Sequence, residues 1–193
     1  MCNLYHLRKA HDEMVALFGK TYSEVVYPEG LPNFRPGDFA ITDTGPIIRR
    51  GAEGLELVQR RWSWPAPSGK PVFNYVAEGR RFPTGRCIAL ADGFYEFTAP
   101  PEGSPKSAKK SKWDFTMPGH EVFCIAGIVR PWGDSEAWSM LTIPPGPDVA
   151  PYHNRGIVPL TWEDGLRWLD PTTPEEDVLR PYSAGTLAVA QVA

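Results

Sequence analysis

The 193-residue sequence predicts a mixed α+β fold that is mainly β, a barrel-like core of short strands with a few flanking helices in a single domain over 1–193. Three observations carry this expectation. The apolar residues come in short runs rich in Val, Ile, Phe, Tyr and Trp, the residues that suit a pleated, half-buried surface. Twenty-one prolines and 18 glycines punctuate those runs, which favours tight turns over long helices. Helical periodicity is confined to three short stretches.

In chain order, Leu7 to Phe18 places Leu7, Met14, Val15, Leu17 and Phe18 on one helical face with Lys9, Asp12 and Glu13 opposite, and Gly19 is the expected end of that helix. Tyr27 to Asp38 is broken by Pro and Gly and reads as loop. Phe39 to Thr42, Pro46 to Arg49 and Leu55 to Trp62 read as strands, with turns at Asp43-Thr44-Gly45 and Gly51 to Gly54. Pro65 to Pro71 is loop. Arg86 to Phe97 begins as an apolar, buried strand, is broken or bulged at Asp92-Gly93, and then resumes alternation. Thr98 to Lys112 is a solvated loop with four lysines. Trp113 to Met117 and Glu121 to Val129 flank Pro118-Gly119-His120 as an expected β-hairpin, and Trp138 to Ile143 is a further strand that Pro144-Pro145 ends. Thr161 caps a helix running to Leu169, with Glu163 and Asp164 in its first turn; a second short helix starts at Pro174, and Gly185 to Val192 makes the last strand.

Composition narrows the function classes. No run of eighteen apolar residues exists and the N-terminus lacks a signal-peptide plan, so no membrane span is expected. Three cysteines without CxxC spacing argue against a disulfide framework or zinc site, and the expectation is a cytoplasmic protein without metal or cofactor. The net charge of −3 conceals a basic middle: residues 49–113 hold 12 Lys and Arg against 6 Asp and Glu, whereas residues 114–193 hold 4 against 11. Such a segment suits an anionic polymer, or is simply a solvated face.

Cys2 is the first candidate for chemistry. With Met1 removed it becomes an N-terminal 1,2-aminothiol, whose amine condenses with an aldehyde to an imine and whose sulfur closes that imine to a five-membered thiazolidine. No internal cysteine can do this. Arg60-Arg61-Trp62-Ser63-Trp64 interleaves guanidinium groups with indoles, which suits phosphate pairing by Arg61 and base stacking by Trp62, while Trp62 equally suits a core. Glu96, between Tyr95 and Phe97, becomes a general acid if desolvated and otherwise lies on the surface. His153 beside Asn154 and Arg155 suits a phosphate contact or a proton shuttle, or a structural role.

Taken together, Met1-Cys2, Asn74 to Glu78, Arg86 to Phe97 and His153 to Leu160 stand in an order that resembles the SOS-response-associated peptidase-like (SRAP) family, the abasic-site processing proteins. The similarity runs along nearly the whole chain. It implies a largely β fold that closes around the N-terminus, a groove for single-stranded DNA, and covalent capture of the ring-opened aldehyde of an abasic site. By this resemblance Cys2 is the nucleophile, Asn74 positions the sugar and the N-terminus, Glu96 assists sugar ring opening, and His153 contacts phosphate and assists proton transfer. Weak lyase activity, a monomer, and association with the nucleoid when DNA is bound are further implications. The sequence departs from the family at Asn3-Leu4, where Gly-Arg is usual, and at Val76, where Arg is usual; Arg80 or Arg81 is placed to compensate, and Arg61, Trp62 and Arg155 complete the expected DNA contacts. Two alternatives remain open: an N-terminal-nucleophile amidohydrolase or autopeptidase using Cys2 with its own amine as base, and a non-catalytic single-stranded nucleic-acid-binding module.

Overall fold

A computed structural model describes residues 2–105 and 107–193, without the side chains of 19–23. Removal of Met1 and the contribution of Lys106 to the lysine loop lie outside those residues. The first half of the chain forms β1 (Leu4–Leu7), α1 (His11–Ser23), β2 (Gly37–Ala40), β3 (Thr44–Arg50), β4 (Leu55–Trp62), β5 (Trp64–Pro65), β6 (Pro71–Val72), β7 (Asn74–Val76), β8 (Arg86–Ala91) and β9 (Gly93–Thr98). The second half adds β10 (Ser111–Thr116), β11 (Phe123–Trp132), β12 (Ser135–Ile143), β13 (Gly156–Ile157), β14 (Pro159–Leu160), α2 (Trp162–Leu169), α3 (Glu175–Val178) and β15 (Ala188–Gln191).

The mainly β expectation holds, and its centre is a closed barrel. β12, β4, β3, β8 and β11 pair in that order, and β11 pairs back onto β12 to close the ring. Closure removes the open edges that short strands would otherwise expose. β8 is buried on both faces, as its unbroken apolar run Arg86-Cys87-Ile88-Ala89-Leu90-Ala91 requires. One face of β8 is covered by α2, whose Gly165 permits the approach: a Cβ there would meet Cys124 Sγ at 3.0 Å. α2 is capped by Thr161, whose side chain accepts the Asp164 N–H, as the sequence predicts.

A second sheet, ordered β15-β10-β9-β1-β2, lies beside the barrel. Asp92-Gly93 is where the chain passes between the two, since β8 belongs to the barrel and β9 to the second sheet. The expected break there is therefore a change of sheet.

Two expectations are corrected. Leu7 belongs to β1 and not to the first helix, because Leu4–Leu7 finds strand partners on both sides, β2 and β9. The helix begins at His11, where the Glu13 carboxylate reaches back to accept the Ala10 N–H at 2.7 Å, and it continues through Gly19. The second correction concerns β10 and β11, which form no hairpin. The turn between them exists, with the His120 N–H bonded to Met117 O at 3.0 Å, but β10 pairs with β9 and β15 while β11 pairs with β8 and β12. Local turn chemistry sets a reversal of direction; it does not choose the partner strand. The long hairpin is instead β11–β12, turning at Gly133 with φ 59°.

Candidate active site

Cys2 is fully buried where the chain enters β1, and its backbone is held from both sides. Its N–H donates to the Glu96 carboxylate, and its carbonyl accepts the Asn74 Nδ2–H at 2.7 Å. The thiol donates to Leu4 O at 3.4 Å. These contacts follow from topology. β1 pairs antiparallel with β9 through Tyr5↔Phe94 and His6↔Gly93, which brings the Cys2 end of β1 toward the Glu96 part of β9. β7 pairs parallel with β12 through Asn74↔Met140, which fixes Asn74 on the barrel side. The site is thus a seam between the barrel and the second sheet.

Burial is strong here and sets the protonation states. Glu96 is 1 % exposed. Its burial pushes the carboxyl above its ordinary value, while the hydrogen bond from Cys2 N–H pulls the other way. Alternation along β9 leaves burial of Glu96 undecided; the side chain lies in the seam against the Cys2 backbone, where it is covered. Burial first, and the nearby Glu96 charge second, hold the Cys2 thiol well above its ordinary range, so at neutral pH it is a thiol and not a thiolate. The Asn74 Oδ1 is buried with no hydrogen-bond partner among the described residues, an acceptor left over beside the Cys2 carbonyl.

His153 ends a turn in which its N–H bonds Val149 O at 3.0 Å. Nδ1 accepts the Arg155 N–H at 3.0 Å, so the neutral ring carries its proton on Nε2. Burial lowers its pKa, which favours that neutral form. The preceding Tyr152 packs on Trp113 at 4.7 Å, and Trp113 stands directly across from Glu96 in the β9–β10 ladder. Cys2, Asn74 and Glu96 therefore meet, from three distant parts of the chain, and the segment that carries His153 packs through Tyr152 on the strand beside Glu96.

The expected DNA contacts fare differently. Trp62 is 1 % exposed, its ring centroid 5.8 Å from that of Trp138 and its Nε1–H bonded to Phe73 O at 2.9 Å. It is a core residue with no face for a base, which corrects the stacking role. Arg155 is committed to the Glu78 carboxylate and to Thr142 O at 2.7 Å. Arg81 pairs with Glu175 at 2.8 Å and with Glu176 at 3.2 Å. Arg80 is exposed and lies over the Tyr75 ring at 4.7 Å, and Arg61 donates to Thr42 O at 3.0 Å. Leu4 is half-buried and Val76 is exposed, so neither supplies the charge of the arginine it replaces.

Sequence reasoning missed a buried charged cluster next door. His6, 3 % exposed, contacts Asp92 through Nδ1 and Asp114 through Nε2, the latter at 2.9 Å, and Arg8 reaches the same Asp92. Asp92-Gly93 is its visible signal, because a Cβ at position 93 would fall 2.3 Å from His6 Nε2. Among the described residues, no group of three His, Cys, Asp or Glu side chains is arranged to hold a metal ion, and no helix is long and apolar enough to cross a membrane.

Comparison with known proteins gives a consistent result. The family model described as SOS response associated peptidase (SRAP) matches residues 1–193. The abasic site processing protein YobE of Bacillus subtilis is 27 % identical over 219 residues, covering 100 % of this chain and 94 % of that protein. The abasic site processing protein YoaM of the same organism is 25 % identical over 215 residues, covering 100 % of this chain and 91 % of that one. Among solved structures, a protein from Bordetella bronchiseptica superposes with a TM-score of 0.72 at 23 % identity and 100 % coverage of both chains. One from Bacteroides thetaiotaomicron superposes with a TM-score of 0.73 at 16 % identity, covering 100 % of this chain and 92 % of the other.

Proposed function

The chain belongs to the SOS response associated peptidase (SRAP) family, and from that premise we propose that it captures abasic sites in single-stranded DNA as a thiazolidine on Cys2. Abasic-site processing is what its curated relatives are named for. The observation that carries the finer reading is the grip on Cys2: its nitrogen faces Glu96 and its carbonyl is held by Asn74. Removal of Met1 would turn that nitrogen into a primary amine already hydrogen-bonded to a buried acid.

The steps balance without a co-reactant. The hemiacetal of the abasic sugar opens when its anomeric hydroxyl loses a proton and its ring oxygen gains one, with Glu96 as the exchanging group. The amine adds to the exposed aldehyde carbon, and water leaves to give the imine. The thiol then adds across the C=N bond, sulfur to carbon and proton to nitrogen, closing the ring. Net, one water is lost. Because burial keeps the sulfur protonated, the amine attacks first and sulfur traps the imine. His153, neutral with a proton on Nε2, is suited to donate to a phosphate oxygen or to return a proton during reversal. An imine that escapes closure acidifies the sugar C2′ proton and would permit weak strand cleavage by β-elimination. A hydrolase reading needs the thiolate as nucleophile, and burial opposes it. We further place the protein in the cytoplasm, as a monomer that joins the nucleoid on binding DNA.

Intact mass tests this directly. The protein alone should lack one methionine, and incubation with a single-stranded oligonucleotide carrying one abasic site should give a denaturation-stable species at the sum of the two masses less one water. Cys2→Ala should give none. A retained Met1, or no adduct under conditions where the oligonucleotide binds, rules out the thiazolidine.

A further inference from the structure

With Trp62 in the core and Arg81 and Arg155 held by glutamates, the DNA contacts expected from sequence are largely spent. Another surface offers the same chemistry. Strand alternation that turns Trp62 and Trp138 into the core turns their neighbours outward. Arg130 of β11 stands opposite Ala137 of β12, and Ala137 stands beside Arg61 of β4, so the three share one outer face. Ala137 is fully covered and small, and the two arginines flank it, roughly 10 Å apart at the backbone across two strand spacings. Trp132, two residues on from Arg130 and on the same face, is 41 % exposed, whereas Trp62, Trp64, Trp138 and Trp168 are all 2 % exposed or less. The Arg61 guanidinium lies over the Trp132 ring at 5.4 Å, and that of Arg130 over Trp64 at 4.0 Å.

Neither arginine is neutralised. Glu136, the nearby carboxylate of β12, is taken by Arg49 and Arg60, and no carboxylate pairs with Arg61 or Arg130 among the described residues. Asp134, at the tip of the β11–β12 turn, is the acid adjoining the face. Arg130 and Arg50 both line a cavity of about 420 Å³; Arg50 donates to Leu169 O at 3.4 Å and forms no ion pair among the described residues.

We propose that Trp132, Arg61 and Arg130 form a docking surface for lesion-free single-stranded DNA flanking the captured site, Trp132 stacking one unpaired base and the two arginines meeting phosphates. An indole with an open face beside unpaired guanidinium groups is the combination that binds single strands without sequence preference. The proposal rests on the reading of the chain as a single-stranded-DNA protein, and it names the part of the surface that holds DNA apart from the chemistry at Cys2.

Fluorescence anisotropy with a labelled, lesion-free single-stranded oligonucleotide decides it. Trp132→Leu keeps apolar bulk beneath Arg61 but removes the stacking face, and should raise Kd about tenfold, the worth of one stacked base. Trp132→Phe keeps a ring and should retain most of the affinity. The double variant Arg61→Gln/Arg130→Gln should flatten the slope of log K against log salt by roughly 1.4, two phosphate contacts' share. A Trp132→Leu Kd within about twofold of wild type, equal losses in Trp132→Leu and Trp132→Phe, or an unchanged salt slope overturns the proposal. The oligonucleotide carries no aldehyde, so this readout is independent of capture. A protein that binds by this face but forms no adduct would refute the thiazolidine alone.

Discussion

Two hydrogen bonds on one residue carry the proposed chemistry: Glu96 takes the N–H of Cys2 and Asn74 holds its carbonyl at 2.7 Å. Their effect is to fix the direction in which a nitrogen at that position can attack, before any substrate arrives. Glu96 has the further property that burial keeps it protonated to higher pH than a carboxyl in water, which is what a proton donor to a sugar ring oxygen needs. Glu96→Gln preserves size and hydrogen bonding but cannot exchange the proton. Its single-turnover adduct formation should be slower by about a hundredfold or more, with oligonucleotide affinity retained. In the wild type the rate should fall as pH rises through the raised Glu96 pKa, and that limb should vanish in the variant; a rate within about threefold of wild type would remove Glu96 from the proton path. Cys2 is legible in the sequence as a cysteine at the second position, whereas Asn74 and the roles assigned to Glu96 and His153 rest on the resemblance of short local motifs to those of the family. Trp62 is not, since an indole beside two arginines has the same neighbours in sequence whether it faces solvent or core. Only the pairing of β4 with β12, which puts Trp62 against Trp138, decides that.

At the scale of elements, β1 carries Cys2 and is fastened by His6. Its ring meets carboxylates at both nitrogens, Asp92 from the β8–β9 junction and Asp114 from β10, so β1 is clamped to two strands of the second sheet. Both nitrogens can donate only in the imidazolium form, and the Arg8 guanidinium, which also lies against Nδ1, opposes that charge. Burial lowers the His6 pKa, but the two hydrogen bonds outweigh it and the net shift is upward from 6.5. A raised folded-state pKa means that this contribution to stability is fully present below about pH 6.5 and is lost as pH rises through the raised value. Arg8, Asp38, Lys112 and Tyr95 also face the cluster, Lys9 acts on Asp92 while paired with Glu121, and histidine alone among these residue types ordinarily titrates near neutrality. Asp114→Asn supplies a donor to a neutral ring at Nε2, so the clamp no longer needs the proton. Thermal melts from pH 6 to 9 should show wild-type Tm declining on the alkaline side and a visibly flatter profile for Asp114→Asn; parallel profiles would show that the imidazolium is not what holds β1. The sequence shows Asp92-Gly93 as an interruption, but not the histidine it accommodates, because that contact spans 86 residues. For the same reason the partner of β10 is unreadable: the turn at Gly119 is local, and the choice between β9 and β11 is made by packing.

For the whole molecule, the basic middle of the sequence is less basic in three dimensions than in one. Of its arginines, Arg49 pairs with Glu56 and Glu136, Arg60 with Glu29 and Glu136, Arg86 with Glu175, and Arg81 with Glu175 and Glu176. Most of those carboxylates come from outside the basic segment, so barrel closure folds acidic parts of the chain onto basic ones. The closed order β12-β4-β3-β8-β11 is the part of the fold that periodicity cannot yield, because it joins strands distant in sequence, and the charge map depends on it. Among the described residues, what remains for a polyanion is four arginines, Arg61, Arg130, Arg50 and Arg80, and three exposed lysines, Lys70, Lys109 and Lys110. Each phosphate neutralised on a single strand contributes about −0.7 to the slope of log K against log salt, so contacts by three or four of the arginines give a slope of roughly −2 to −3, and the lysines joining them bring it to no more than about −5. All 12 basic residues of the segment acting together would give a slope of about −8. Anisotropy across a salt series should therefore return the shallow value for initial binding, while adduct already formed should survive the highest salt under denaturing conditions, as a covalent bond must. A slope steeper than about −5 would mean that the arginine–glutamate pairs open to receive DNA, so that the strand meets a more basic surface than the closed, ion-paired barrel presents.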